Sequence, residues 1–109
     1  MKMLDKFGLK PNKLSITIDD EKQEFYSKLI SYNLAVFLAN NHDDIINQLT
    51  IIRHCLCEED GTLVFSYDTP LEEIGDMFPF EVISLIATEI AKSSGPKARN
   101  ENVIKKPVR

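Results

Sequence analysis

With 109 residues, 43% of them hydrophobic and 28% charged, the chain has material for one small domain, and a two-domain architecture is excluded. The same composition excludes a wholly disordered chain, and no apolar run approaches the ~20 residues that a bilayer span needs. Residues 14–95 carry four basic groups (Lys22, Lys28, Arg53, Lys92) against fifteen acidic ones, a balance that repels nucleic acid and excludes it as an expected partner.

The flanks are basic. Residues 1–13 hold four lysines against Asp5, and residues 96–109 hold five basic groups against Glu101. The first segment, broken by Gly8 and Pro11, reads as a flexible leader, and its opening residues lack the apolar stretch of a secretory signal. Cys55 and Cys57 are too close in sequence to close a useful loop, so no oxidising compartment is indicated and the cytoplasm is expected.

Leu14-Ser15-Ile16-Thr17-Ile18 alternates apolar and polar side chains, the pattern of a half-buried strand. Asp19 and Asp20 then offer an N-cap, with Glu21 and Glu24 placed for the helix dipole. The helix expected after them reaches Ala39, with Phe25, Leu29, Tyr32 and Val36 on one stripe widened by Ile30 and Phe37. Asn40-Asn41-His42 breaks that pattern. Asp43 or Asp44 starts a second helix, whose stripe is Ile45, Leu49, Ile52 and Leu56. Glu58-Glu59-Asp60-Gly61 is an acidic turn, and residues 63–65 form a short strand expected to pair with residues 14–18, because a lone strand leaves its backbone unsatisfied.

A one-turn helix is expected near residues 70–75, and a long one from Pro79 to Ser93, with Val82, Ile83, Leu85, Ile86 and Ile90 as a broad apolar face. Gly95 and Pro96 stop it. The expected fold is therefore mainly α with a small β element: three principal helices and a short two-stranded pairing in one domain over residues 14–95. A mobile basic tail over residues 96–109 follows it.

Nothing in this order of residues forms a reaction centre. Cys55 and Cys57, two apart on a helix, are rotated by roughly 200° and cannot share one ion. Only His42 and His54 offer further nitrogen donors, so neither a structural zinc site nor any other metal is expected. His54 beside Cys55 is adjacency in sequence, not the spatial pairing that activates a thiolate. The acidic turn lacks the alternating ligands and distal glutamate of a calcium loop, and there is no glycine-rich phosphate loop. No cofactor and no enzymatic activity are expected. Met77, Phe78, Phe80 and Tyr67 cluster instead around the junction of the short helix and the last one. Some of these belong in a core; where two or three stay exposed they make a partner-binding patch.

Residues 51–95 resemble the tail assembly chaperones of long-tailed bacteriophages. The resemblance is carried by an apolar helix, the acidic turn Glu58-Glu59-Asp60-Gly61, the strand Leu63-Val64-Phe65, a short helix with Leu71, and a last helix ending at Ser94-Gly95. The strand and helix expected over residues 14–39 fit the same plan. This resemblance implies a non-catalytic protein of the bacterial host cytoplasm, absent from the mature virion. It implies binding to the tape measure protein, which the chaperone keeps soluble, and recruitment of tail tube protein. Two other readings stay open: a structural adaptor or minor tail component of the virion, and a small protein-binding regulator.

Overall fold

Asp19 and Asp20 are where the structure first departs from expectation. The computed structural model describes residues 10–94, and in it both aspartates take left-handed backbone angles, φ 52° and 68°. Two successive positive φ values make the tight two-residue loop that matches the twist of a hairpin. Aspartate tolerates that region better than most residues, because its short side chain bonds locally. The loop joins strand β1 (Asn12–Ile18) to strand β2 (Glu21–Ser27), antiparallel, in a register running from Ile18 opposite Glu21 to Asn12 opposite Ser27.

The first part of the single helix expected from Asp19-Asp20 to Ala39 is therefore a strand, Glu21–Ser27, and residues 28–31 connect it to a separate helix. Its apolar spacing was genuine but not diagnostic. Phe25 lies opposite Leu14 across the ladder, and both pack on the core. Tyr32 and Val36, read as the same buried stripe, are 82% and 42% exposed. Helix α1 (Tyr32–Asn40) begins only at the Ser31 cap, whose Oγ accepts from the Leu34 N–H at 3.1 Å.

Helix α2 (Asp44–Cys55) starts where the sequence places it. Asp43 caps it, its Oδ1 accepting from the N–H groups of Ile45 at 3.1 Å and Ile46 at 3.2 Å. Strand β3 (Leu56–Cys57) follows directly and pairs antiparallel with Tyr26 and Ser27, giving the sheet order β1-β2-β3. The acidic turn then reverses the chain around Gly61, φ +94°. Leu63 bridges to Cys57, and the Val64 N–H donates to the Leu56 carbonyl at 3.0 Å. The pairing expected between residues 63–65 and residues 14–18 does not form, because each segment has a nearer partner.

With 48% of the described residues helical and 20% in strands, the domain is mixed α and β. Four helices and a three-stranded antiparallel sheet replace the expected mainly α fold with one two-stranded pairing. The two last helices are α3 (Leu71–Gly75) and α4 (Phe80–Ser94), the latter entered through Pro79, whose carbonyl accepts from Val82 and Ile83. The expected tail over residues 96–109, Gly95 and the first nine residues of the leader lie outside the described residues.

The core lies where α2, α4 and the inner face of the sheet meet. Ile52, Ile74 and Ile90 have no exposed surface, and each contributes ~1.5–3 kcal/mol by burial. Ile16 and its half-buried neighbours Leu14 and Ile18 supply the sheet's share. Helix α1 stands apart. Only Leu34 is buried and Leu38 half-buried, while Tyr32, Ala35, Val36, Phe37 and Ala39 remain exposed. A hydrogen bond from the Ile30 N–H to Ser94 Oγ, 2.9 Å, ties the segment before it to the end of α4.

Candidate functional site

Two concave surfaces flank this loosely seated helix and the start of α4. The first is a cleft of about 430 Å³ between α1 and the second half of α2, lined by Ser31, Asn33, Leu34, Phe37, Thr50, Arg53, His54 and Tyr67. Tyr67 comes from the loop before α3 and stacks on His54, ring centroids 4.7 Å apart at 22°. His54 Nδ1 lies 3.1 Å from the Thr50 carbonyl. A carbonyl can only accept, so Nδ1 carries the proton there. Arg53 Nη1 donates to the Thr69 carbonyl at 3.0 Å, which pins the loop to α2. The Arg53 Nε–H is buried without a partner, an arrangement that costs roughly 1–3 kcal/mol relative to a satisfied donor.

The second surface is an apolar groove of about 220 Å³ at the junction of α2, α3 and α4, lined by Ile45, Gln48, Leu49, Gly75, Phe78, Phe80 and Ile83. Of the four residues picked from the sequence, Phe78 and Phe80 line the groove, Tyr67 lines the cleft and Met77 lines neither. Phe80, 78% exposed, stands on the rim of the groove. Phe78 reaches inward and meets Phe65 edge-on, centroids 6.4 Å apart at 82°, so one face of its ring belongs to the core. Met77 is 55% exposed and lines neither surface, and Tyr67, 60% exposed, belongs to the other cleft. Three of the four, Tyr67, Met77 and Phe80, are thus exposed, and Phe78 is half-buried.

The uncharged outer side of α1 was missed in the sequence because its residues were assigned to the core. No Asp, Glu, Lys or Arg occurs between Lys28 and Asp43. Within that stretch Tyr32, Val36 and Ala39 recur at i, i+4 and i+7 on the side of α1 opposite Leu34 and Leu38. That charge-free stretch was the available signal.

The groups with potential chemistry are held quiet. Burial pushes the Cys55 thiol up to about 12, with Cys57 adding to the rise and Lys28 opposing it. Burial raises Cys57 as well, against the pull of Lys28, with Asp60 and Glu58 adding to the rise. A thiol kept protonated is a poor nucleophile and a poor metal ligand. Hydrogen bonds from Thr62 lower the Asp60 carboxyl below its ordinary value, its Oδ1 accepting from the Thr62 N–H at 2.9 Å. This makes Asp60 the organiser of the turn. Among the described residues no three His, Cys, Asp or Glu side chains converge as a metal site, and no helix is long and apolar enough to cross a membrane. Comparison with protein-family models, curated proteins and solved structures gives no match.

Proposed function

We propose that this chain is a non-catalytic protein-binding module that works as a phage tail assembly chaperone, holding an apolar helical segment of the tape measure protein in the host cytoplasm until tail tube protein polymerises around it. The observation that carries the reading is the outward stripe of α1. Tyr32, Val36 and Ala39, flanked by Phe37, form an exposed apolar strip on a domain that carries fifteen acidic groups over residues 14–95. An apolar helix laid along this strip buries side chains without desolvating a carboxylate, which is the costly step elsewhere on the surface. The acidic remainder keeps the complex soluble and stops bound copies from clumping. The order of elements over residues 51–95 adds the specific assignment, through its resemblance to that chaperone family.

The strip is small. Three to four side chains give a contact well under the ~800 Å² per partner of a stable complex, so release is easy when tube subunits arrive. The test is co-purification of the full chain with a helical fragment of the tape measure protein encoded beside it. A Tyr32→Ser, Val36→Ser double variant should lose the client while keeping its far-UV spectrum and melting midpoint. Failure of the wild-type chain to retain any tape measure fragment refutes the reading. So does finding the chain at stoichiometric levels in purified virions, since that outcome belongs to a structural tail component.

A further inference from the structure

Among the described residues Arg53 is a cation without a counter-ion, in a domain crowded with carboxylates. Lys13 and Lys22 reach Glu24 at 3.6 and 4.0 Å, and Lys92 reaches Glu89 at 3.1 Å. Arg53, less exposed than any of these lysines, has no carboxylate within 4.0 Å among the described residues. Its bond to the Thr69 carbonyl uses one nitrogen, and the buried Nε–H is left over. Guanidinium groups are strongest as two-pronged donors to a carboxylate, and half of this fork is idle.

The cleft around it has no acidic group to pair with Arg53. Its volume, about 430 Å³, lies in the range of small-ligand sites. None of its lining residues is acidic. Ser31 Oγ accepts from the Leu34 N–H and Thr50 Oγ1 donates to the Ile46 carbonyl at 2.7 Å, and neither hydroxyl is bonded to Arg53. Leu34 and Phe37 form an apolar wall, and the stacked His54 and Tyr67 rings present a flat one. Asn33 adds a side-chain amide that has no hydrogen-bond partner among the described residues.

We propose that this cleft binds a carboxylate carried on an apolar or aromatic body, with Arg53 pairing the carboxylate and Phe37, Leu34 and Tyr67 enclosing the body. The site shares Phe37 with the flank of the outward stripe of α1, but its pairing group, Arg53, lies off that stripe and is tested without the client. Two sources share this chemistry: the C-terminal residue of another protein chain, and a free aromatic acid. In either case the small rearrangement that brings the Nε–H to the ligand satisfies a buried side-chain donor that has no partner among the described residues.

The experiment follows the Arg53 Nε–Hε resonance of the full-length chain by NMR, assigned by its loss in Arg53→Lys. The titrants are 3-phenylpropionate and its neutral amide. Binding of the acid with a dissociation constant on the order of a millimolar, ordinary for so small a ligand, should move the Arg53 and Tyr67 signals together and saturably. The amide should bind at least tenfold more weakly. Equal binding of acid and amide, or no saturable shift of the Arg53 signal, overturns the proposal on wild-type protein alone. Arg53→Gln should lose the acid at least tenfold, and Arg53→Lys should fall between, since it keeps the charge without the fork. Retained affinity in a folded Arg53→Gln also overturns it. A Gly-Gly-Phe peptide with a free C-terminus, compared with its amidated form, separates the sources. Tighter binding of the free peptide than of 3-phenylpropionate assigns a protein chain end, and equal or weaker binding assigns a small acid.

Discussion

Alkali should unfold this domain earlier than its other titrating groups dictate, because of Cys55. The thiol is 1% exposed and ends α2, where the helix dipole also disfavours a negative charge. In the unfolded chain it ionises near 9.0, whereas in the fold burial holds it protonated to about 12. Between these values the unfolded state binds fewer protons than the native one, so stability falls as pH rises. The contribution is complete below the unfolded value and is lost through the folded one. Over the whole window it amounts to ~4 kcal/mol, at about 1.36 kcal/mol per unit of pKa difference. Some ~2 kcal/mol of this is gone by about pH 10.5. Cys57, also raised by burial, acts in the same direction. The assay is urea unfolding under reductant, followed by far-UV circular dichroism, since the chain has no tryptophan. Comparing wild type with Cys55→Ala isolates the thiol. The stability advantage of wild type should shrink by ~2 kcal/mol between about pH 8 and about pH 10.5. Parallel pH curves for the two proteins would refute the claim that burial holds Cys55 neutral.

The division of the aromatic cluster gives a second expectation. Phe80→Ser should change stability by no more than ~0.5 kcal/mol, as exposed positions do, while Phe78→Ala should cost ~2–4 kcal/mol by opening a gap beside Phe65; equal losses in urea unfolding would contradict the placement of Phe78. The hairpin loop gives a third. Replacing Asp19-Asp20 by Asn-Gly, the pair best suited to two positive φ values, should stabilise by roughly 1 kcal/mol and raise the melting midpoint by several degrees. A fall in the midpoint would mean that the loop is not built as described.

How much of this was legible in the sequence depends on whether a signal was local. The Asp43 cap, Pro79 at the entry to α4, the short α3 and the turn at Asp60-Gly61 each follow from chemistry within a few residues, and each stands where the sequence puts it. Asp19-Asp20 is local too, but ambiguous. A short acidic side chain serves equally as a helix cap and as a left-handed turn residue. What decides between them is distant: Leu14 waiting opposite Phe25, and Cys57 opposite Tyr26. The two-residue β3 exists only because β2 offers it an edge, so no strand pattern could announce it. Arg53 is the same case at the site. Whether it meets a carboxylate is settled by how the loop carrying Tyr67 and Thr69 folds back, and nothing in its immediate neighbours encodes that.

Helix α1 shows why periodicity misled about the surface. A stripe at i, i+4, i+7 states that a helix has an apolar side; it does not state what that side faces. This helix has two apolar sides, Leu34 with Leu38 inward and Tyr32 with Val36 outward, and a domain of this size covers only one. Retaining the second side exposed is costly in solubility unless something occupies it. The charge pattern selects what can. Fifteen acidic groups over residues 14–95 push away acidic partners at long range, whereas residues 29–42 carry no carboxylate from which an approaching partner must strip water. A partner that is itself apolar and low in charge therefore meets no such cost along α1. High salt screens the repulsion but leaves the apolar contact, so binding along α1 should strengthen or hold as salt rises, whereas binding of a carboxylate at Arg53 should weaken.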